Sequence, residues 1–269
     1  MNSPRPLVVV LGSGRSGTSL LMQALAGLGM AVSEQLIAAR PDNPEGFYED
    51  AALVRRQADL MRSLGAWPFH PLPTDWLDHP ATREAARDLG ALLDDRLARA
   101  TGLWGFKDPR TAPFLPLWQE LFAARNLAPR YLLALRQPDS VIRSFMAAYG
   151  VDAGTAEAVW LRRTWEALWH TRADCHVVHY EDWFRRGSRV IEDLARHCDL
   201  AVADPERVLA GLIRPDLNRS GHGGPRLPGG DGLGSPAARR LLAALATCRG
   251  GDFARADLLA VLHACRPEP

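Results

Sequence analysis

Residues 12–19 read Gly-Ser-Gly-Arg-Ser-Gly-Thr-Ser and lie between the apolar run 7–11 and the helical pattern 20–25. A buried strand, a glycine turn and a helix N-terminus together favour an anion, because free backbone N–H groups and the helix dipole attract negative charge. The spacing satisfies the dinucleotide fingerprint Gly-x-Gly-x-x-Gly. It nearly satisfies a phosphate loop of Walker type, in which Thr18 replaces the lysine. The segment therefore predicts an anion site and leaves the anion open.

Lys107 is the only lysine of a chain with 32 basic residues. A lysine kept in such a background is a candidate for chemistry that needs a compact, titratable charge. It follows a short apolar strand directly, so we expect it at the same sheet edge as Arg15. Arg110 adds a second positive charge there, and Asp108 can hold one of the two in place.

A third apolar strand ends at Arg136, and Pro138 then suits the first position of a helix. Ser140 and Ser144 are four residues apart and share one face of that helix. Arg136 and Ser144 are expected to grip one phosphate from two sides. A Walker B strand would end in an aspartate that holds magnesium, so an arginine at this position favours a second phosphate over a metal.

Four short apolar segments alternate with helical patterns, which predicts an α/β fold with a doubly wound, mostly parallel central sheet flanked by helices. Ligands bind such sheets at the carboxyl ends of the strands. We expect one domain, 1–269, with a glycine- and proline-rich mobile loop at 220–236. The predicted strands are 7–11, 103–106, 131–135 and 176–180, and the predicted helices are 51–64, 83–100, 115–124, 140–149, 155–171 and 190–197.

The composition is that of an ordinary globular protein: 269 residues, 47% hydrophobic, 23% charged and a net charge of +1. This balance argues against a nucleic-acid partner, and no apolar run approaches the roughly 20 residues needed to span a bilayer. The first strand begins too early to leave room for a signal peptide. The four cysteines form no CxxC pair. We therefore expect a reduced, cytoplasmic protein without a zinc site.

Together these segments resemble the sulfotransferases that use 3′-phosphoadenosine 5′-phosphosulfate (PAPS), in the bacterial branch of that P-loop superfamily. The resemblance covers roughly residues 7 to 220. It implies that the loop binds the 5′-phosphosulfate end, and that Arg136 and Ser144 bind the 3′-phosphate of PAPS and of its product PAP. The loop residues implied in cofactor binding are Gly14, Arg15, Ser16, Gly17, Thr18 and Ser19.

Other segments extend this resemblance. Residues 107–110 resemble the strand-end lysine segment of the tyrosylprotein and bacterial branches, and residues 42–49 resemble a segment common in bacterial members. Tyr180, with the two acidic residues after it, resembles an element whose tyrosine lies by the adenine. Arg219 belongs to a faint match to the family's late phosphate-binding loop.

The resemblance implies in-line transfer of a sulfuryl group to a hydroxyl or amine, without a metal. Arg15 and Lys107 would stabilise the developing charge, and Lys107 would also pass a proton to the leaving oxygen. Glu34 is the first candidate for the base that takes the acceptor proton, Glu49 the second and His70 the third. The expected acceptor is a small molecule or a glycoside. The aromatic residues that could line its pocket are Trp67, Phe69, Trp76, Trp160, Trp165 and Trp169.

Three alternatives stay open. An NAD(P)-dependent oxidoreductase would use Glu34 as its ribose carboxylate, but it has no use for Lys107 or Arg136. A P-loop kinase or NTPase would use Asp182 as a metal ligand, although Thr18 in the lysine position counts against it. A catalytically inactive nucleotide-binding protein would bind PAP without turnover. The oligomeric state is left open.

Overall fold

The computed structural model describes residues 3–40, 43, 45–213 and 233–267. Within them, four strands form one sheet in the order β2-β1-β3-β4, and every pairing is parallel. The strands are β1 (Arg5–Leu11), β2 (Trp104–Lys107), β3 (Leu127–Leu135) and β4 (His176–His179). The predicted fold class is confirmed. β3 begins four residues before the expected position because its half-buried first residues still pair with β1.

Helices cover both faces of this sheet. They are α1 (Thr18–Gly27), α2 (Ala51–Ser63), α3 (Pro80–Arg99), α4 (Leu115–Ala123), α5 (Pro138–Tyr149), α6 (Ala153–His170), α7 (Asp182–Arg185), α8 (Ser188–Cys198), α9 (Pro205–Leu212), α10 (Pro236–Leu245) and α11 (Arg255–Ala264). The two faces alternate along β1, as the period of a strand requires. Leu7 and Val9 join the cluster packed by α2 to α6, whereas Val8 and Val10 join the one packed by α1 and α8.

The parallel register places the candidate site residues that follow the strands at one edge of the sheet. Val10 pairs with Lys107, and Leu11 pairs with Leu133, so β1, β2 and β3 end close together. The backbone N–H of Tyr180, just after β4, donates to Leu135 O at 2.7 Å. The segments that follow the four strands therefore meet at this edge.

The short helix α7 and the helix α9 were not predicted, because neither shows a long apolar period in the sequence. Arg219 and most of the predicted loop at 220–236 lie outside the described residues. Among the helices that the structure describes, none is both long and apolar enough to cross a membrane.

Candidate active site

Two positions of the glycine loop, residues 12–19, have a backbone conformation and close neighbours that only glycine accommodates without strain. Gly12 has φ +138°, and a Cβ there would lie 2.6 Å from Ala134 O. Gly17 has φ +88° and precedes α1, and a Cβ there would lie 2.7 Å from the Tyr180 ring. The residue before α1, Gly17, has no side chain with which to cap the helix, so among the described residues the N–H groups of its first turn are placed to attract an anion.

Arg15, Ser144, Arg136 and Tyr180 form one cluster beside this loop. Arg15 has φ +73°, and its Nε donates to Ser144 Oγ at 3.0 Å. Arg136 Nη1 donates to Arg15 O at 3.2 Å, and its guanidinium lies 4.4 Å from the centre of the Tyr180 ring. Burial lowers the pKa of Arg136, because the charged form loses hydration. The structure thus brings together four residues that were predicted from separate segments.

These residues line a groove of about 190 Å³, which we call the loop groove. Ser19 lines the groove with them, as do the acidic Glu45 and the polar Gln23 and Asn43. Apolar side chains complete the lining, among them Phe184, Leu212 and Ile213. The groove therefore offers two arginines beside polar and apolar surface.

Lys107 is 2% exposed and projects from the end of β2. Its Nζ donates to Glu49 Oε1 at 2.7 Å and to Ser19 Oγ at 3.3 Å. The Ser19 hydroxyl itself donates to Phe47 O at 3.1 Å. Lys107 therefore brings an ammonium group from another strand to the glycine loop, in which Thr18 stands where the Walker spacing has a lysine.

Glu49 is buried and also meets Arg110, whose Nη2 lies 3.4 Å from Glu49 Oε2. The other side of Arg110 is held by Asp108, as predicted, with Nε donating to Asp108 Oδ1 at 2.8 Å. The buried Gln57 donates to the second oxygen of Asp108 at 2.8 Å. Two carboxylates and two cations therefore form a connected network behind the glycine loop.

Local structure fixes Glu49. Its carbonyl accepts from Ile37 N at 2.8 Å, so residues 36–37 run beside residues 49–50. The next residue, Asp50, caps α2 by accepting from the N–H groups of Ala52 and Leu53. Arg96 pairs with the same carboxylate at 2.6 Å and helps to lower the pKa of Asp50. Glu49 is thus held between a paired segment and a capped helix.

On the other side of the loop lies a cavity of about 550 Å³, which we call the apolar cavity. Its charged lining residues are Arg40, Glu49, Arg110 and Arg163. The remaining lining residues are Gly14, Ile37, Phe47, Val54, Trp67, Pro68, Phe69, Pro109, Phe145, Tyr149 and Val159. Trp67 and Phe69 line it as predicted, whereas Trp76, Trp160 and Trp165 are buried in the core and Trp169 packs against it.

Three other predicted residues lie apart from this network. Glu34 is exposed and lines a separate cavity with Arg96 and Arg99. His70 is exposed and does not line the apolar cavity. Asp182, the metal ligand of the NTPase alternative, pairs instead with Arg249 at 2.9 Å. Among the described residues, no group of three or more His, Cys, Asp or Glu side chains is arranged to hold a metal.

The sequence reasoning missed Arg163 and Tyr149, which also line the apolar cavity. A signal for Arg163 was present, since it lies four residues after Val159 and therefore shares its helix face. Tyr149 ends α5, the helix that carries Ser144. The rings of Phe145 and Tyr149 lie 4.5 Å apart, so both belong to one wall.

Comparisons with known proteins agree with this architecture. A search of curated protein sequences finds no match. Among solved structures, the sulfotransferase domain of the Synechococcus PCC 7002 olefin synthase is similar over 100% of this chain and 97% of its own, with 16% identity and a TM-score of 0.52. The sulfotransferase STF9 from Mycobacterium avium is similar over 92% of this chain and 77% of its own, also with 16% identity and a TM-score of 0.52. These likenesses support the fold.

The family follows from a separate comparison. The model of the sulfotransferase family matches residues 6–204, which include the glycine loop, Lys107 and the Arg136–Ser144 pair. The match covers well over half of the chain. The chain therefore belongs to the sulfotransferase family.

Proposed function

We propose that this protein transfers a sulfuryl group from PAPS to a hydroxyl or amine of a small-molecule or glycoside acceptor. The observation that carries the proposal is the position of Lys107. Its ammonium contacts Ser19, which lines the loop groove, and Glu49, which lines the apolar cavity. One buried cation therefore joins an anion-binding groove to a cavity suited to an organic acceptor.

The loop groove suits a nucleotide with phosphates at two positions. The loop N–H groups from Gly14 to Ser19 would hold the 5′ end, which supplies the sulfuryl group, and Arg136 and Ser144 would hold the 3′-phosphate. Tyr180 offers a ring face beside these cations. The proposed contact of Arg219 lies outside the described residues. This arrangement would place Arg15, in the loop, at the 5′ end of PAPS and Arg136 at its 3′-phosphate.

Within this proposal, Lys107 and Arg15 stabilise negative charge where the loop groove meets the apolar cavity. Fixed cations and N–H donors act strongly there because the site is buried and needs no reorganisation. Glu49 receives the acceptor proton, since it is the carboxylate that lines the apolar cavity. Glu34, the first sequence candidate for this base, lines a different cavity. A role of Glu34 as the base stays a prediction, which the transfer assay described below can test.

A thermal-shift comparison of PAP, ATP and NAD tests the donor. Ligand at 100 times Kd stabilises the folded state by about 2.7 kcal/mol, which is measurable in a chain of this size. We expect PAP to raise Tm more than the other two nucleotides. A larger shift with ATP or NAD would overturn the proposal and favour a kinase or an oxidoreductase.

Transfer of radiolabelled sulfate from PAPS to a panel of phenols, alcohols and amines tests catalysis itself. We expect turnover to persist in EDTA, because the proposed chemistry uses fixed cations in place of a metal. PAP binding without transfer to any acceptor would instead support an inactive nucleotide-binding protein.

A further inference from the structure

We infer that the acceptor is a hydroxylated organic acid with an apolar body, and that Arg163 binds its carboxylate. This inference rests on the proposed function and narrows the acceptor class within it. It assigns the apolar cavity three parts: Glu49 for the reacting hydroxyl, aromatic walls for the body, and Arg163 for the acid group.

Arg163 is a buried cation that faces the cavity. It lies on α6, is 7% exposed, and is among the residues that line the cavity. Its guanidinium makes no hydrogen bond with the described residues, and its ion-pair partner Glu166 is 3.7 Å away. A guanidinium carries five N–H donors, and the cavity gives a ligand access to those of Arg163. The arrangement therefore points to a ligand that accepts those donors.

Glu166 does not satisfy the hydrogen-bond donors of Arg163. Its Oε2 atom is buried and makes no hydrogen bond with the described residues. Burial raises the pKa of Glu166 to about 7, because the charged form loses hydration. Arg162, the neighbouring arginine, also acts on this carboxylate. Glu166 is thus a weak and shared counter-ion.

Two other cations near the cavity, Lys107 and Arg110, are matched more closely by carboxylates. Lys107 pairs with Glu49 at 2.7 Å, and Arg110 pairs with Asp108 at 2.8 Å. Arg163 has no pair of comparable length in the described part of the chain. An incoming carboxylate can form a bidentate pair with a guanidinium, which is stronger and more directional than a contact with a lysine.

The walls of the cavity define the rest of the ligand. The Phe69 ring packs edge-on against Phe145 at 5.0 Å and against Tyr149 at 5.4 Å, which makes a continuous aromatic wall. Such walls bind the body of an organic ligand, while a few polar groups fix its orientation. A molecule with an apolar body, an acid group and a hydroxyl matches this lining.

The experiment measures binding of three phenolic acids of increasing length, each paired with its methyl ester, to the protein saturated with PAP. The acids are para-hydroxybenzoate, para-hydroxyphenylacetate and para-hydroxyphenylpropionate, and Kd is read by calorimetry or ligand-observed NMR. We expect the wild type to bind at least one acid about tenfold or more tightly than its ester, the size of a charge-assisted hydrogen bond. Arg163→Gln should remove this preference, and Arg163→Lys should keep part of it.

Arg125→Gln is the control, because it removes the same charge from a partly exposed arginine. Arg125 pairs with Asp94 at 2.7 Å and does not line the cavity, so the ratio of acid to ester affinity should stay as in the wild type. PAP affinity and Tm, measured in the same samples, show that the variants are folded and bind nucleotide.

Two results would overturn the inference: no acid bound more tightly than its ester by the wild type, or an acid preference that survives in Arg163→Gln. Failure of PAP to bind, with the Arg163-dependent acid preference present, would refute the proposed function alone.

Discussion

The ammonium nitrogen of Lys107 lies 2.7 Å from a carboxylate oxygen of Glu49, and both side chains are buried. A buried ion pair stabilises a fold little on balance, because desolvation offsets the attraction. Its value here is positional: the pair fixes the ammonium 3.3 Å from Ser19 Oγ and the carboxylate at the wall of the apolar cavity. An acid and a base for one transfer would thus hold each other in place before either ligand binds.

Lys107→Arg tests whether a compact, titratable cation is required. We expect PAP to bind as in the wild type, whereas kcat for transfer falls by about 100-fold or more, because a guanidinium cannot readily give up a proton to a leaving oxygen. The measurements are PAP affinity by calorimetry and kcat with radiolabelled PAPS.

The reverse exchange at an exposed site, Arg99→Lys, controls for a general effect of swapping the two cations, since Arg99 pairs with Asp95 at the surface. Unchanged turnover in Lys107→Arg would show that the single lysine has no special role in the chemistry.

Glu49→Gln and Glu34→Gln separate the two candidate bases. Glutamine keeps the size of the side chain but cannot take a proton, so we expect Glu49→Gln to lower kcat by roughly 100-fold to 10,000-fold. Glu34→Gln should stay near the wild type, because Glu34 lies in another cavity. A fall in kcat confined to Glu34→Gln would reverse the assignment.

Glu49→Gln also leaves Lys107 without its carboxylate, so stability must be followed alongside kcat. We expect a lower Tm in this variant, since removing one partner of a buried pair strands the other charge. PAP at saturating concentration restores the folded population for the assay. A kcat that recovers fully under these conditions would mean that the lost activity came from unfolding.

The sequence was sufficient to predict the sheet and the groups at its edge, because strand ends and glycine turns are local signals. Lys107 and Arg136 each follow an apolar run, and parallel strands must bring such positions together. The choice between Glu34 and Glu49 was not local. It depends on the pairing of residues 36–37 with residues 49–50, which places Glu49 against Lys107 and leaves Glu34 outside. Arg163 was missed because the other walls of the cavity that it lines come from distant segments.

Arg136→Gln tests the second phosphate site of the loop groove. We compare PAP with AMP, which lacks the 3′-phosphate. The wild type should bind PAP more tightly than AMP. Arg136→Gln should weaken PAP binding by about tenfold to 100-fold, which corresponds to the loss of a charge-assisted hydrogen bond. The affinity for AMP should not change. Ser144→Ala should act in the same direction with a smaller effect.

Arg143→Gln provides the matched control for this comparison. Arg143 lies on α5 and pairs with Asp139, and it does not line the loop groove. The substitution removes one positive charge close to Arg136, so it tests whether a general loss of positive potential is enough to weaken PAP binding. Equal losses for PAP and AMP in Arg136→Gln would contradict a 3′-phosphate site at this residue.

His176 links stability to pH. Burial lowers the pKa of His176 to about 4 from an ordinary value of 6.5. The His197 ring, whose centroid lies 4.5 Å away, lowers this pKa further, as do Arg186 and Arg196. Asp193 acts in the opposite direction. Between these values the unfolded chain binds more protons than the folded one, so the free energy of unfolding falls as the pH falls. Burial also lowers the pKa of His170 to about 4, which adds a second contribution of the same sign.

We therefore expect the His176→Asn variant to lose less stability than the wild type between about pH 7 and pH 5, by up to about 1.4 kcal/mol per pH unit below the unfolded pKa. Urea unfolding at the two pH values measures the difference, and His70→Asn, which replaces an exposed imidazole, is the control. Because burial raises the pKa of Glu166 to about 7, that group acts in the opposite direction over the same range. The comparison must therefore be made between variants, where the contribution of Glu166 cancels. Equal pH slopes in His176→Asn and the wild type would show that His176 is protonated as readily in the folded chain as in the unfolded one.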